Sequence, residues 1–480
     1  MHDALLQWIE YFNQVVLLYF AGINLIYTVL MFVALYAVTF HSKLAAGTAS
    51  VEPASLGVRP PVALIVPAFN EESGIVQTVL SLMKLNYPEK EIIVVDDGST
   101  DRTVQRLVQH FQLSPMELIY RESLPAKPPC AFYASPRYPG LVVLSKENGG
   151  KSDALNVGLN MARSPYFCTV DADTIIDPDG LLRLMAPIVE SGVHTVVSAG
   201  IVRVANGSVI KDGRVVQPKL PDSWLERCQV VEYIRTFLFG RPAWNLLNST
   251  FICSGAFCLM HRETVVQAGG FSTDTVTEDT EMITKLHRYM RDKGWKYRMV
   301  FTPTPVCWTE VPHSVSMLAK QRRRWQLGLL QTVGKHDSMI ANPRYRHLGL
   351  FTVPFHAFLE GMGALIETIG TILVPISFLL GIIPLSMFLL FLALAVGYGT
   401  MLSVASILLH ERTQHRYSRI RDVFVLILFA FIENLGYRQM VALFRAQGVL
   451  KYFLGYTKWE RVEHVGQGQP VTLQQKAFDA

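Results

Sequence analysis

Ile92-Ile93-Val94-Val95-Asp96-Asp97-Gly98-Ser99-Thr100-Asp101 is the stretch that decides the fold of this chain. A short apolar, β-branched run reads as a strand over Glu91–Asp96. It stops on two carboxylates and a Gly-Ser-Thr turn, and a helix opens after Thr100. Upstream the pattern repeats: a strand over Val62–Pro67 runs into Ala68-Phe69-Asn70-Glu71, and a helix follows from Glu72 to about Leu85. Downstream, strands at Leu141–Ser145 and Tyr166–Asp171 flank a helix from Lys151 to about Arg163. Alternating β and α segments predict an α/β domain with a mostly parallel sheet and helices on both faces. Ligands of such sheets bind beyond the carboxyl ends of the strands, where these acidic residues lie. Two insertions interrupt the pattern: proline-dense Pro125–Pro139, and Ala205–Pro221, which reads as a hairpin turned at Lys211–Gly213.

Outward from this core the chain becomes apolar. Half of the 480 residues are hydrophobic and 17% are charged, well below the quarter usual for soluble domains. The excess sits near the N-terminus and after residue 347, with a polar stretch of about 300 residues between. From Val15 to about Phe40 there is no charge, and ~26 helical residues cover ~39 Å, enough for a ~30 Å hydrocarbon core. Asp3 and Glu10 precede that run with no Lys or Arg, which argues for a retained anchor rather than a cleaved signal. Lys43 after the run places the polar domain in the cytoplasm by the positive-inside tendency.

Three further apolar tracts follow, near Phe358–Leu380, Leu385–Leu409 and Val423–Phe444. Four spans in all would leave the tail, with Arg445, Lys451, Lys458 and Arg461, on the outer face, against the same tendency. The last tract, interrupted by Glu433 and Gly436, is the one to suspect. Glu360 and Glu367, two helical turns apart, share one face. A carboxylate facing lipid is costly, so they either line a polar path or pair helix to helix. All six cysteines lie in the polar stretch; no disulfide is expected, and Cys253 and Cys258 read as small core residues. The net charge of +5 is modest; without a basic stripe it points to membrane and anionic substrate, not nucleic acid.

Acidic groups at neighbouring strand ends raise each other's pKa unless they hold a ligand or a cation. Asp96 and Asp97 suit a nucleoside's N–H and hydroxyl donors, although Asp-Gly-Ser-Thr also serves as turn and helix cap. Asp171-Ala172-Asp173 puts two hard oxygens on one side of a strand end, suited to Mg²⁺ or Mn²⁺ shared with a diphosphate. Asn148-Gly149-Gly150-Lys151 opens a helix, where glycine-rich turns favour anions; a plain loop is the alternative. Thr277-Glu278-Asp279 starts another helix, as ordinary dipole partners or as the base that takes an acceptor proton. Gln321-Arg322-Arg323-Arg324-Trp325 marks a basic helix entering the membrane region. It acts as an interfacial anchor, or through Arg324 on a diphosphate and Trp325 under a sugar.

Asp-Asp-Gly, Asp-x-Asp, Thr-Glu-Asp and Gln-x-x-Arg-Trp in that order resemble the processive family 2 glycosyltransferases, which include cellulose, chitin, hyaluronan and poly-N-acetylglucosamine synthases. The resemblance covers about residues 60 to 335. It implies an α/β GT-A nucleotide-sugar fold in the cytoplasm plus an α-helical transmembrane region of one N-terminal span and about three C-terminal tracts. It also implies inverting transfer from a UDP-sugar to a growing β-linked polysaccharide. By motif, Asn70, Glu71 and Asp97 would hold the uridine, with Lys151 and Asp171 also on the donor. Asp171 and Asp173 would hold the metal, Mg²⁺ or Mn²⁺, and Asp279 would be the general base. Gln321, Arg324, Trp325 and Glu278 would line the donor and acceptor sites, and Ser254-Gly255-Ala256 would lie near the acceptor.

The implied organisation is an anchor over 1–45, a catalytic domain over 60–312, and interfacial helices over 313–347. A membrane region over 348–446 and a short tail over 447–480 complete it. The expected setting is the inner membrane, multi-pass, with a glycan acceptor, the lipid bilayer and an export or regulatory subunit as partners. Only one span precedes the catalytic domain where several relatives have two, and the tail is too short for a cyclic-dinucleotide-binding domain. The alternatives are a non-processive transferase glycosylating a membrane lipid, and a transporter or receptor without catalysis.

Overall fold

The computed structural model describes residues 2–37, 59–117, 119–211, 213–414 and 420–456. Phe40, Lys43, the Pro53 link, Lys458 and Arg461 lie outside them. The strands are β1 Val62–Ala68, β2 Lys90–Asp96, β3 Ser114–Pro115, β4 Pro129–Ala134, β5 Leu141–Lys146, β6 Tyr166–Val170 and β7 Ile175–Ile176, then β8 Thr195–Val204, β9 Val209–Lys211, β10 Arg214–Gln217, β11 Phe257–His261 and β12 Arg298–Thr309. Ten of them form one sheet in the order β3-β4-β5-β2-β1-β6-β11-β8-β12-β7. β9 and β10 form the hairpin expected within Ala205–Pro221.

The centre, β5-β2-β1-β6, is parallel. β1 is buried on both faces, as a continuous apolar run in a doubly covered sheet must be. The sheet as a whole is mixed rather than mostly parallel, because β3, β4, β7 and β11 run antiparallel to their neighbours. Part of the reason lies in the Pro125–Pro139 insertion, which folds back as β4 antiparallel to β5; its Pro129 is tolerated as the first residue of the strand.

Helices α1 His2–Tyr36, α2 Ile75–Met83, α3 Thr103–Phe111, α4 Lys151–Met161, α5 Gly180–Glu190, α6 Trp224–Arg235, α7 Glu278–Asp292 and α8 Val315–Lys335 carry the chain from anchor to interface. α4 lies close on β1, since a Cβ at Gly158 would overlap the Ile65 side chain. After α8 come α9 Gly363–Leu379, α10 Leu385–Leu392, α11 Tyr398–Gln414, α12 Ile420–Ile432 and α13 Arg438–Phe453.

Among the described residues three helical stretches are long and apolar enough to cross a membrane: Leu6–Tyr36, Leu348–Leu379 and Leu385–Thr413. The third C-terminal tract is not among them. It breaks at Glu433–Tyr437, where Leu435 and Gly436 leave helical geometry. α12 has 13 residues, a length of ~20 Å, short of a ~30 Å core. α13 packs along α8 instead: Arg445 Nε donates to Gln326 Oε1 at 2.9 Å, and Arg323 Nη1 donates to Gln447 Oε1 at 3.1 Å. Glu360 and Glu367 pair helix to helix, accepting from the hydroxyls of Tyr27 and Tyr19 on α1, each at 3.1 Å. Cys253 and Cys258 are buried, as read.

Candidate active site

Strand register levels the carboxyl ends of the central strands. Ala68 pairs with Asp96 and Asp96 with Ser145, so the residues that follow β1, β2 and β5 share one rim. β6 ends on the same rim, and β11 runs antiparallel to it with Phe257 opposite Val170. Ser254-Gly255-Ala256, just before β11, therefore faces Asp171, whose N–H donates to the Ala256 carbonyl at 3.3 Å.

The segments that follow β1 and β2 lock together. Asn70 sits at φ 55°, a left-handed conformation that Asn tolerates better than most residues. Its Oδ1 accepts from the Thr100 and Asp101 N–H groups at 2.7 and 3.3 Å. The Glu71 N–H donates to Thr103 Oγ1 at 2.8 Å. Asp96 is held by Ser145 Oγ at 2.8 Å and by the Ser99 N–H at 3.2 Å.

Asp97 is 3% exposed, and its partners lie within the chain. Oδ1 accepts from Lys146 Nζ at 2.5 Å and from the Gly149 N–H at 2.9 Å, and Oδ2 accepts from the Gly150 N–H at 2.7 Å. Lys146 is fully buried and reaches Asp153 Oδ1 at 2.7 Å as well. Gly98, at φ 76°, touches this turn so closely that a Cβ would stand 2.8 Å from the Asn148 nitrogen. The second aspartate of the Asp-Asp pair thus anchors the Asn148–Lys151 turn. Sequence reading missed Lys146 and Asp153; the available signal was a lysine one residue past the predicted end of β5.

The turn delivers Lys151 across the rim. Its ammonium lies 2.6 Å from Asp171 Oδ1 and 2.7 Å from Glu278 Oε1. Burial opposes its charge, yet Asp171 and Glu278 outweigh burial and hold its pKa above the ordinary lysine value. Beside it, Asp279 accepts from the Gly255 N–H at 2.9 Å and from the Thr280 N–H at 2.7 Å. Burial first, and the Glu278 charge second, push the Asp279 carboxyl up to about 6, with Lys151 opposing. A Cβ at Gly255 would press to 3.1 Å on the Asp279 carboxylate, so small residues here let the strand start approach the acid.

α7 is fixed against α8 on two levels. A methyl at Gly328 would overlap the Thr277 side chain, so the Thr-Glu-Asp turn rests directly on α8. Deeper in, fully buried Glu281 meets His336 and Lys285, each at 3.2 Å. Burial alone would raise the Glu281 pKa, but the His336 hydrogen bond and the Lys285 and Lys335 charges bring it below the ordinary value. Sequence reading missed this support as well.

Trp325 lies three residues, about one turn, before Gly328 and is 38% exposed. Gln321 is buried, with no hydrogen-bond partner for its Oε1 among the described residues. Lys151, Asp171 and Glu278 are therefore joined by short contacts, with Asp97 holding the turn that carries Lys151 and Asp279 held by Gly255. The Gln321–Trp325 segment precedes, on the same helix, the Gly328 that packs on Thr277.

A mixed sheet with a polar rim at the carboxyl ends of its strands, joined to long apolar helices, is the arrangement of an α/β domain that binds its ligand at that rim. Comparison with known proteins agrees. A family described as Glycosyl transferase family 2 matches residues 63–124, and one described as Glycosyl transferase family group 2 matches residues 166–403, together more than half of the chain. The chain belongs to glycosyltransferase family 2.

A poly-β-1,6-N-acetyl-D-glucosamine synthase of Staphylococcus aureus (strain COL) is 29% identical over 267 residues, which is 56% of this chain and 54% of that protein. The Staphylococcus epidermidis synthase is 27% identical over the same length. The chain spans about half the length of these curated relatives. Among solved structures, a mannosyltransferase from Pyrobaculum calidifontis in complex with GDP-Man and Mn²⁺ aligns at TM-score 0.48 and 19% identity, covering 85% of this chain and 99% of that one.

Proposed function

We propose that this chain is an inverting, metal-dependent synthase that transfers N-acetylglucosamine from UDP-N-acetylglucosamine to a growing β-1,6-linked polymer at the membrane. The observation that carries the reading is the convergence of Asp171, Glu278 and Asp279 around Lys151, next to the Trp325 helix. The named synthases among its relatives supply the sugar and linkage.

Asp171 and Asp173 fit a divalent cation. They offer hard oxygens from the turn that follows β6, which ends at Val170 before the expected alternation reaches them, and Asp171 already accepts the Lys151 ammonium, so the position tolerates positive charge. Among the described residues no group of three or more His, Cys, Asp or Glu side chains forms a closed metal cage. Mg²⁺ or Mn²⁺ held by one or two carboxylates together with substrate phosphates needs none. When bound, the ion supplies charge neutralisation for the departing diphosphate.

The remaining steps belong to the chain. Asn70 and Glu71 border the uridine, Asp97 holds the Asn148–Lys151 turn rather than the nucleoside, and Lys151 turns from Asp171 towards the diphosphate. Trp325 stacks under the acceptor sugar, with Gln321 and Arg324 beside it. Asp279 Oδ takes the acceptor hydroxyl proton as that oxygen attacks the anomeric carbon opposite the leaving UDP, which inverts the centre. The catalytic domain lies in the cytoplasm, with the inner membrane as its setting and an export or regulatory subunit as partner. Two C-terminal spans support this, since they return α13 to the catalytic side.

The test is reconstituted protein offered a panel of UDP-sugars with Mn²⁺, Mg²⁺ or a chelator. Metal-dependent UDP release from UDP-N-acetylglucosamine alone, with chains cut by a β-1,6-specific hexosaminidase, is the expected result. A single sugar on lipid, or turnover indifferent to chelation, would overturn it.

A further inference from the structure

Arg322 falls at a variable position of Gln-x-x-Arg-Trp, and its surroundings are built. It is 3% exposed, and its guanidinium carbon lies 4.4 Å from the centroid of the Trp325 ring. Its Nη2 donates to Glu232 Oε2 on α6 at 2.7 Å. The same oxygen accepts from the Tyr437 hydroxyl at 2.7 Å.

Tyr437 belongs to the break between α12 and α13, where Gly436 takes φ 126°. Three residues along the same face of α6, Arg235 Nη1 lies 2.6 Å from Glu433 Oε1 and donates to Ser403 Oγ at 2.8 Å. α6 is thus clamped twice to the break. One clamp continues through Arg322 to a tryptophan face.

We infer that Arg322 is a positioning residue for the acceptor, with Glu232 and Tyr437 as the fixed points that aim it. A planar guanidinium gripped at its edge offers its flat face to an indole, and a lysine ammonium would not reproduce that geometry. Held from one side by Arg322, the Trp325 ring keeps a defined tilt. An ion pair serving only to join helices would not need the π face. A sugar stacking on Trp325 would feel any loss of that tilt, while the uridine pocket, built on β1, β2 and the Asn148–Lys151 turn, would not. The inference rests on the reading that Trp325 binds the acceptor sugar.

The experiment uses the full-length, lipid-reconstituted protein with UDP-N-acetylglucosamine and an N-acetylglucosamine oligomer as added acceptor. Wild type is compared with Arg322→Met, Arg322→Lys, Glu232→Gln and Tyr437→Phe. Expected is a rise of about tenfold in acceptor KM for Arg322→Met, with shorter products, unchanged donor KM and no rescue by Arg322→Lys. Tyr437→Phe, which removes one oxygen and keeps the ring, should move acceptor KM in the same direction by less. Variants with wild-type acceptor KM and chain length would overturn the inference. So would donor and acceptor terms that fall together with melting temperature, the signature of a merely structural contact. Tyr437→Phe keeps the test open should Arg322→Met not fold. Wild type that turns over no UDP-sugar would sink the functional reading itself, a different outcome from active wild type with unaltered variants.

Discussion

At the residue scale the proposed chemistry turns on one carboxyl kept from ionising early. Asp279 rises from 3.8 to about 6 because burial and the neighbouring Glu278 disfavour its charge. A base must be deprotonated to work, so kcat/KM should fall as pH drops through about 6. Its folded pKa lies above its unfolded one, so the stability it contributes is full below about pH 4 and is lost as pH rises through about 6. Asp279→Asn should therefore lower turnover by about 10²- to 10⁴-fold while raising the melting temperature at pH 7.5. An inactive variant with a lower melting temperature would contradict this account. Lys151 opposes the upward shift, so Lys151→Met should move the acidic limb of the pH–rate profile to higher pH and weaken donor binding. An unmoved limb would mean that the lysine and the base do not sense each other in solution.

At the element scale, what holds the site is register and close approach, and this marks how far the sequence could be read. Asp96, Asp97 and Asp171 were legible at strand ends because period and turn chemistry place them there. Their partners were not. Asp97 meets Lys146 only because β2 and β5 run parallel with Asp96 opposite Ser145, a pairing no single strand announces. Nor does Gly328 in an ordinary helical pattern reveal the threonine pressed against it. Lys146→Met would leave Asp97 and Asp153 buried without their cation. The expected loss is about 3 to 5 kcal/mol, readable as a lower denaturation midpoint; an unchanged midpoint would show the pair is not buried as described. Gly328→Leu should push the Thr-Glu-Asp turn from its seat and lower kcat by about 100-fold, since a shift of about 1 Å at a reacting group costs that much. A fully active Gly328→Leu enzyme would deny α8 any part in placing Asp279.

At the scale of the whole molecule, the membrane count follows from where polar side chains find partners. Hydropathy made Val423–Phe444 look like a span, because it sums residues without asking what Glu433 and Arg445 touch. In the fold, Glu433 is paired with Arg235 of α6, and Arg445 is bound to Gln326 of α8. Carrying residues 420–453 across the bilayer would break both contacts and leave a carboxylate and a guanidinium in hydrocarbon, each costing about 2.5 to 3.5 kcal/mol at the centre of a span. Three crossings instead of four would return the C-terminal helix to the face that holds the sheet. The conflict between span number and the basic residues Arg445 and Lys451 would then disappear. A fluorescent-protein fusion at the C-terminus should therefore glow on the same side as one placed in the β9–β10 hairpin. A periplasmic alkaline-phosphatase fusion at the C-terminus should stay inactive. Active phosphatase there would require the break at Gly436 to straighten into a fourth span, and the clamp from α6 through Tyr437 to Arg322 would then not exist in the membrane.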